Sequence, residues 1–207
     1  STNETFFFRT AQDWDFFEQA VKEKIAAAGK PGGVRQIRLL SAACSEGCEP
    51  YSMAIKLCDL IADMKRWSIS IWAVDIDTKV LDQSRAGVYD EYDLQATPKS
   101  IRAKYFTPEA DIPKDGAARY ALRDDVKRLV KFQRHDLREA FPMKQFDIIF
   151  CRNVLIYFDE KVKQKCVQNL YDALSPGGHL VIGHAESLMK IDLPLEFVRH
   201  AVYRKKG

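Results

Sequence analysis

The chain has 207 residues, 46% of them hydrophobic and 29% charged, which is enough for one substantial hydrophobic core. Its formal net charge of +3 is too small to indicate nucleic-acid binding by itself. No apolar run reaches the length of a membrane span, and no signal peptide opens the chain. These properties predict a soluble domain that is not embedded in a membrane. Because the first residue is Ser1 rather than Met, we expect the chain to be processed or excised from something longer.

The chain contains five cysteines, an odd number, and none of them forms a CxxC pair. They are Cys44, Cys48, Cys58, Cys151 and Cys166. This pattern favours neither a disulfide framework nor a zinc site, and no metal site is predicted. We expect buried, reduced thiols and therefore a cytoplasmic protein.

The first half of the chain alternates between helical and strand-like patterns. Apolar residues at helical spacing predict helices over residues 13–28, 50–64 and 78–86. Short apolar runs predict strands over residues 35–43 and 68–74, and the second run is rich in β-branched and aromatic residues.

The pattern changes from about residue 92 onward. A helix is predicted over residues 98–106, a polar loop over 107–118, and strands near 119–122 and 129–134.

The alternation then resumes and continues to the end of the chain. The predicted elements are a strand over residues 146–151, a helix over 160–174, a turn over 175–178, a strand over 179–183 and short strands near 196–198 and 201–204. Alternating strands and helices indicate an α/β fold with a doubly wound, mainly parallel sheet that is covered on both faces. Such sheets bind ligands outside the carboxyl ends of the strands, so the functional residues are expected there.

The segment after the first predicted strand is built from small residues. Ala42, Ala43, Ser45 and Gly47 allow a ligand to approach the backbone closely before the next helix begins. The segment is not a GxGxxG fingerprint and has no Walker lysine, which removes the main support for nicotinamide or nucleoside-triphosphate binding. An ordinary tight turn has the same composition, so this segment alone favours ligand binding only slightly.

Two acidic residues follow the second predicted strand. Asp75, 28 residues after Gly47, can accept hydrogen bonds from the two hydroxyls of a ribose. Either Asp75 or Asp77 could instead cap the next helix, and we assign the cap to Asp77 and the ribose contact to Asp75. Together with the small-residue turn, this arrangement predicts a nucleoside cofactor.

Polar residues also follow the strand over residues 146–151. Arg152, Asn153 and Tyr157 come between this strand and the next helix, where they would face a cleft. Any one of them could be a solvent-facing loop residue, but the three together favour a site.

Five segments stand out over nearly the whole chain: TNETFFFR (residues 2–9), ACSEGCEPYS (43–52), DIDTKVLDQSRAGVY (75–89), FDIIFCRNVLIYF (146–158) and GHAESL (183–188). Together, and in this order, they resemble the catalytic domain of the CheR family of chemotaxis protein-glutamate O-methyltransferases. The resemblance implies a seven-stranded, Rossmann-like methyltransferase sheet that binds S-adenosylmethionine and releases S-adenosylhomocysteine. It also implies methyl transfer to glutamate side chains in the cytoplasmic helical domain of methyl-accepting chemoreceptors, which forms methyl esters in chemotaxis adaptation.

The resemblance implies one methyltransferase domain over residues 1–207, with a small inserted β-subdomain at about residues 92–130. In some members of the family this subdomain grips a peptide at the receptor's tail. The family usually has a small helical domain before the first of the five segments, and we expect that domain to be absent from residues 1–207.

Positions that match the family's motifs define the expected site. The residues expected at the cofactor are Asn3, Thr5, Arg9, Glu49, Asp75, Asp136, Leu137, Arg152 and Asn153. The resemblance implies that Asp75 holds the ribose and that Asp136 and Leu137 flank the adenine. Tyr157 matches the tyrosine that is implicated near the transferred methyl group.

The expected reaction limits what the catalytic groups have to do. A glutamate side chain, with an ordinary pKa of about 4.3, is already ionised at neutral pH and needs no general base. The enzyme has to align oxygen, methyl carbon and sulfur, and to supply a cation or hydrogen-bond donors to the buried carboxylate. We expect Arg9 to orient or pair the carboxylate or the cofactor and Tyr157 to donate a hydrogen bond. The alternative for Arg9 is a solvated surface arginine.

Three positions depart from the family pattern. Ala43 stands where glycine is usual, Cys48 where glutamate is usual, and Asp136 where asparagine is frequent. Asp136 can still accept a hydrogen bond from the adenine amino group. Cys48 removes one carboxylate from the loop and changes the contacts that the loop can make.

Two other functions remain open at the level of the sequence. One is a methyltransferase for a small molecule or a nucleic acid, since residues 119–138 hold seven basic residues, although three acidic ones accompany them. The other is a regulatory module that binds S-adenosylmethionine without transferase activity. We expect no nucleic-acid partner, because the mixed charges favour a solvated face or a face that meets an acidic receptor helix.

Overall fold

The computed structural model of the protein describes residues 4–110 and 116–207. Within them, the α-helices are Ala11–Ala28 (α1), Cys48–Leu60 (α2), Thr78–Ala86 (α3), Lys99–Tyr105 (α4), Asp124–Lys127 (α5) and Glu160–Ala173 (α6). The strands are Gln36–Ala42 (β1), Ser68–Asp75 (β2), Val88–Tyr89 (β3), Phe106–Pro108 (β4), Tyr120–Leu122 (β5), Val130–Arg134 (β6), Phe146–Cys151 (β7), Leu174–Ile182 (β8), Leu195–Arg199 (β9) and Val202–Lys205 (β10). Short 3-10 helices span Met64–Arg66 and Leu155–Tyr157.

The main sheet has seven strands in the order β6-β2-β1-β7-β8-β10-β9. The first five pair in parallel, and β10 pairs antiparallel with both β8 and β9. The chain winds outward from β1 through β2 to β6, and in the other direction from β7 to β8. The predicted doubly wound, mainly parallel sheet is therefore confirmed, and its switch point lies between the carboxyl ends of β1 and β7.

The hydrophobic core lies on both faces of this sheet. Along β1, Ile37 and Leu39 pack into the core that includes residues of α1 and α2, whereas Leu40 and Ala42 pack into the core that includes residues of α6. Covering on both faces is what a parallel sheet requires. None of the helices in residues 4–110 and 116–207 has both the length and the apolar character to cross a bilayer.

A second, smaller sheet of three antiparallel strands has the order β3-β5-β4. Its first strand, Val88–Tyr89, precedes residue 92, the position from which the inserted subdomain was predicted. Residues 106–108 were predicted as a helix end and a loop, but they form β4 because they pair with β5. Phe7 packs edge-on against Tyr89 at 4.8 Å and against Phe106 at 5.1 Å between ring centroids. The small sheet therefore anchors the segment that carries Thr5 and Arg9.

The predicted helix over residues 50–64 extends too far. α2 ends at Leu60, and Ile61 adopts extended backbone with φ −104° and ψ 109°. Ile61 is nevertheless buried, and Met64 packs against the same core. The apolar spacing that favoured a longer helix continues because the residues beyond the helix end are also buried.

The turn predicted over residues 175–178 is wrong, because β8 runs through it. Phe146 pairs with Leu174 whereas Ile148 pairs with His179, so several residues of β8 lie opposite one residue of β7. Gly177 adopts a φ of 75°, which glycine tolerates without steric cost. The Ser-Pro-Gly-Gly segment is therefore an irregular bulge within the strand.

Candidate cofactor site

The loop between β1 and α2 turns sharply at the switch point. Three of its residues have positive φ, namely Ala43 (59°), Ser45 (50°) and Gly47 (87°). A Cβ atom at position 47 would lie 2.9 Å from Ser84 Oγ and 3.1 Å from the Tyr89 hydroxyl, so only glycine fits there. The small residues of this loop therefore permit both its left-handed turns and its close packing against α3 and β3.

The alanine at position 43 occupies a conformation that favours glycine, the residue that the resemblance implies there. We expect Ala43→Gly to raise the free energy of unfolding by about 1 kcal/mol, because left-handed backbone is strained for a residue with a Cβ. The measurement is the urea midpoint of each protein. The matched control is Ala27→Gly in the exposed face of α1, where the same change should lower stability by about 1 kcal/mol. Equal losses in both variants would contradict the strain at position 43.

Asp75 and Asp77, at the end of β2, accept hydrogen bonds from different backbone segments. Asp75 accepts hydrogen bonds from the backbone N–H groups of Ser45 (2.9 Å) and Asp77 (3.0 Å), and so ties the β1–α2 loop to β2. Asp77 accepts from the N–H of Lys79 at 2.8 Å, which confirms its predicted role as the cap of α3. The Asp75 carboxylate lines the cleft, as a ribose contact requires.

A buried ion cluster borders the cleft. Arg152 Nε donates to Glu49 Oε2 at 2.8 Å, and its Nη1 donates to Asp13 Oδ2 at 2.8 Å and to the carbonyl oxygen of Arg9 at 2.8 Å. Burial opposes the charge of Arg152, but the carboxylates of Glu49 and Asp13 outweigh it and raise the pKa of the guanidinium. Ser41 Oγ donates to the second oxygen of Glu49 at 2.6 Å. Two predicted cofactor residues, Glu49 and Arg152, are thus paired with each other.

Two members of this cluster were missed in the sequence. Asp13 is only 1% exposed, and His184 Nε2 lies 2.8 Å from Asp13 Oδ1. In the sequence Asp13 looks like an ordinary acidic residue in the first turn of α1. A signal was present in its apolar neighbours Trp14, Phe16 and Phe17, because a carboxylate among residues that become buried needs a partner.

The expected adenine end of the site is formed after β6. Arg138 forms a bidentate ion pair with Asp136, in which Nε donates to Oδ1 at 2.9 Å and Nη2 donates to Oδ2 at 2.5 Å. The side chain of Arg138 is the main reason that the pKa of Asp136 falls to about 2. Leu137 is buried, and His135 packs against Phe141 at 4.3 Å between ring centroids. Asp136 therefore stays ionised, and an adenine amino group would have to share it with Arg138.

The thiols near the site are buried and protonated. Burial is the main reason that the pKa of Cys44, Cys48 and Cys151 is well above its usual range. Cys48 begins α2 and interacts with the side chain of Thr5, so the departure from glutamate replaces a carboxylate by a small apolar group at that point. Within residues 4–110 and 116–207, no group of histidine, cysteine, aspartate and glutamate side chains could hold a metal ion.

These loops enclose one cleft of about 640 Å³ at the carboxyl ends of the strands. It brings together nine predicted site residues from separate segments of the chain: Thr5, Arg9, Glu49, Asp75, Asp136, Leu137, Arg152, Asn153 and Tyr157. Asn3, the tenth, lies outside the described residues. The lining also includes Glu4, Asp77 and Arg138, which gives five carboxylates against three guanidinium groups. An excess of negative charge suits a cofactor with a cationic sulfonium.

The fold and the cleft together define a nucleoside-cofactor-binding α/β domain of the methyltransferase class. Residues 3–203 match the family model described as "CheR methyltransferase, SAM binding domain". The chain is 38% identical to the chemotaxis protein methyltransferase of Vibrio anguillarum over 202 residues, 96% of this chain and 70% of that protein. It is 34% identical to the chemotaxis protein methyltransferase of Borreliella burgdorferi over 208 residues, 99% of this chain and 71% of that protein.

The chain therefore belongs to the CheR methyltransferase family. Its cofactor is S-adenosylmethionine, and its activity is methyl transfer in chemotaxis. The resemblance drawn from the five sequence segments is confirmed, as are the predicted fold class and the predicted cofactor. The individual roles of the ten site residues remain predictions.

Proposed function

We propose that this domain transfers the methyl group of S-adenosylmethionine to glutamate side chains of chemoreceptors and so forms glutamate methyl esters. The observation that carries the proposal is the state of three of the five acidic side chains that line the cleft. Glu49 is paired with Arg152, Asp75 accepts two backbone N–H groups, and Asp136 is paired with Arg138. Each is already engaged, which favours a nucleophile that needs no base, and a carboxylate is such a nucleophile.

The proposal assigns the residues of the cleft to the parts of the cofactor and to the substrate carboxylate. Bound S-adenosylmethionine supplies an electrophilic methyl group. Asp75 would accept from the ribose hydroxyls, Asp136 and Leu137 would flank the adenine, and Arg9 and Tyr157 would meet the incoming carboxylate. Tyr157 is 55% exposed and its neighbour Ile156 is 54% exposed, which suits residues at the mouth of the cleft that meet a protein substrate.

The small sheet is proposed as a docking element for the receptor. Its three strands come between β2 and β6 in the chain. In the same part of the chain, the side chains of Val88 and Tyr92 are exposed and present apolar surface. In this proposal the small sheet contacts the receptor, and the loops at the carboxyl ends of the main sheet bind the cofactor. The receptor's methylated region is a cytoplasmic helical domain, so the same proposal places this protein in the cytoplasm.

The function is tested by methyl transfer to a receptor fragment. The wild-type protein and S-adenosylmethionine should produce base-labile methyl esters on the cytoplasmic fragment of a chemoreceptor. Changing the modified glutamates of the fragment to glutamine should abolish the product. Cofactor binding without any methyl transfer would instead support a regulatory module. Transfer only to nucleic acid would support a nucleic-acid methyltransferase.

The ribose contact yields a separate prediction. Asp75→Ala should weaken S-adenosylhomocysteine binding by about 1–3 kcal/mol, because the ribose hydroxyls and the loop N–H of Ser45 lose their acceptor. The matched control is Asp159→Ala, which removes the cap of α6 outside the cleft and should cost about 1 kcal/mol of stability with little change in affinity. Titration calorimetry and thermal unfolding of both variants measure the difference. Unchanged affinity in Asp75→Ala would remove Asp75 from the site.

A further inference from the structure

We propose that Glu186 is a positioning residue of the methyl-transfer site, because its carboxylate fixes the loop that carries Asn153 and Tyr157. The side chain is buried, with the residue 8% exposed. Glu186 Oε2 accepts from the backbone N–H of Gly183 at 2.7 Å and of Asn153 at 3.1 Å, and Oε1 accepts from the N–H of Ile156 at 3.2 Å. The inference rests on the proposed function for the roles of Asn153 and Tyr157.

The loop depends on this carboxylate for its conformation. Asn153 adopts a positive φ of 60°, and a single 3-10 turn, Leu155–Tyr157, follows it. A short turn of this kind leaves the N–H groups at its start without partners inside the turn. Glu186 accepts from two of the loop's N–H groups, at Asn153 and Ile156. It therefore holds the backbone at two points just after the chain leaves β7.

The protein leaves room for the carboxylate at one glycine. A Cβ atom at position 183 would lie 2.8 Å from Glu186 Oε2, 2.9 Å from the backbone nitrogen of Asn153 and 3.0 Å from Asn153 Nδ2. Gly183 and Glu186 thus form one unit that joins the carboxyl ends of β8 and β7. Glu186 does not line the cleft, so it acts through the loop and not on the reacting atoms.

Two variants test this unit. Glu186→Gln keeps the size of the side chain but replaces one accepting oxygen by an NH₂ group, which cannot accept from a backbone N–H. Gly183→Ala keeps Glu186 and forces the carboxylate and Asn153 apart. The control is Asp147→Asn near the opposite end of β7, where Asp147 accepts from the N–H of Arg38 at 2.8 Å and so also joins neighbouring strands.

The measurements are thermal unfolding, titration with S-adenosylhomocysteine, and single-turnover methyl transfer to a receptor fragment at saturating cofactor. Both Glu186→Gln and Gly183→Ala should raise the dissociation constant for S-adenosylhomocysteine and lower the transfer rate, each by about tenfold. Asp147→Asn should lower stability and leave both quantities at the wild-type value, because fewer folded molecules do not change the affinity of those that remain folded.

The inference is overturned if Glu186→Gln and Gly183→Ala bind and react like the wild type. It is also overturned if Asp147→Asn, when it loses as much stability, shows the same increase in dissociation constant and the same decrease in transfer rate as the two variants. The titration does not involve the receptor. A wild-type protein that binds S-adenosylhomocysteine but methylates no receptor glutamate would overturn the proposed function, and the titration would still decide the role of Glu186.

Discussion

Replacing Arg152 by methionine should lower the free energy of unfolding by about 3–5 kcal/mol, the largest loss expected from a single substitution at this site. The side chains of Arg152 and Asp13 are 5% and 2% exposed, and that of Glu49 is 12% exposed. Without the guanidinium, two carboxylates at these positions lose the cation between them, and the Arg9 carbonyl loses a donor. Methionine fills much of the volume, so the loss reports the unpaired charges more than a cavity.

Urea unfolding of the variant and of a matched control measures this cost. Arg85→Met removes an exposed ion pair with Asp82, whose side chains are 49% and 76% exposed, and should cost about 1 kcal/mol or less. Adding Asp13→Asn and Glu49→Gln to Arg152→Met should return part of the lost stability, since those changes remove the unpaired charges. A triple variant less stable than the single one would show that hydrogen-bond geometry, and not charge, dominates the cluster.

Local patterns in the sequence were sufficient for most of the fold. α3 and β7 begin and end at the predicted residues, because turn-forming or polar residues bound their apolar patterns. The errors occurred where long-range contacts override the local pattern. The bulge in β8 exists only against β7, and β4 forms only because β5 pairs with it.

The site was predictable in part for the same physical reason. The carboxyl ends of parallel strands meet at one edge, so Asp75 and Arg152 could be placed near each other from the order of the elements alone. The pairing of Asp13 with Arg152 could not, because the two residues are 139 positions apart and neither carries a local motif for the other. Glu186 belonged to a recognised segment, but its partners are backbone N–H groups, which have no residue signature.

The departure at Asp136 shows what a comparison of residue types leaves out. Aspartate in place of asparagine looked mild because both can accept from an adenine amino group. Arg138, two residues later, forms a bidentate pair with this carboxylate through Nε and Nη2 and keeps it ionised. Aspartate at this position is therefore accompanied by a second charge, and the expected adenine end of the cleft holds an ion pair in place of a neutral amide.

The catalytic step should depend on Arg9 and Tyr157 more than cofactor binding does. Arg9 is flanked by Phe8 and Thr10, which both have positive φ, and its carbonyl oxygen accepts from Arg152 and from Trp14 Nε1 at 3.0 Å. Its backbone is thus held firmly while the side chain faces the cleft. Arg9→Met and Tyr157→Phe should each lower the single-turnover rate about ten- to a hundredfold, because a contact to a charged group in the transition state is worth about 1.5–3 kcal/mol.

The controls for this experiment are Arg85→Met and Tyr171→Phe, which make the same chemical changes outside the cleft and outside the proposed docking element, and should leave the rate unchanged. Cofactor affinity, measured in parallel, should fall less than the rate in the Arg9 and Tyr157 variants. Wild-type rates in both would remove the two residues from the methyl-transfer step and leave the methyltransferase assignment standing.

The pH dependence of the same rate separates a carboxylate nucleophile from one that needs a base. A glutamate with an ordinary pKa of about 4.3 is fully ionised above neutrality, so the rate should be flat from about pH 7 to about 9. The measurement starts at about pH 7 so that Asp93 does not titrate within its range, because burial raises the pKa of Asp93 to about 6. Asp93 matters because its backbone carbonyl accepts from the N–H of Phe7, in the segment that carries Arg9. Amine or alcohol methylation through a general base would instead give a rate that rises as the base loses its proton. A flat profile in the wild type, retained at a lower level in Arg9→Met and Tyr157→Phe, would mean that these side chains orient and stabilise the carboxylate without exchanging a proton with it.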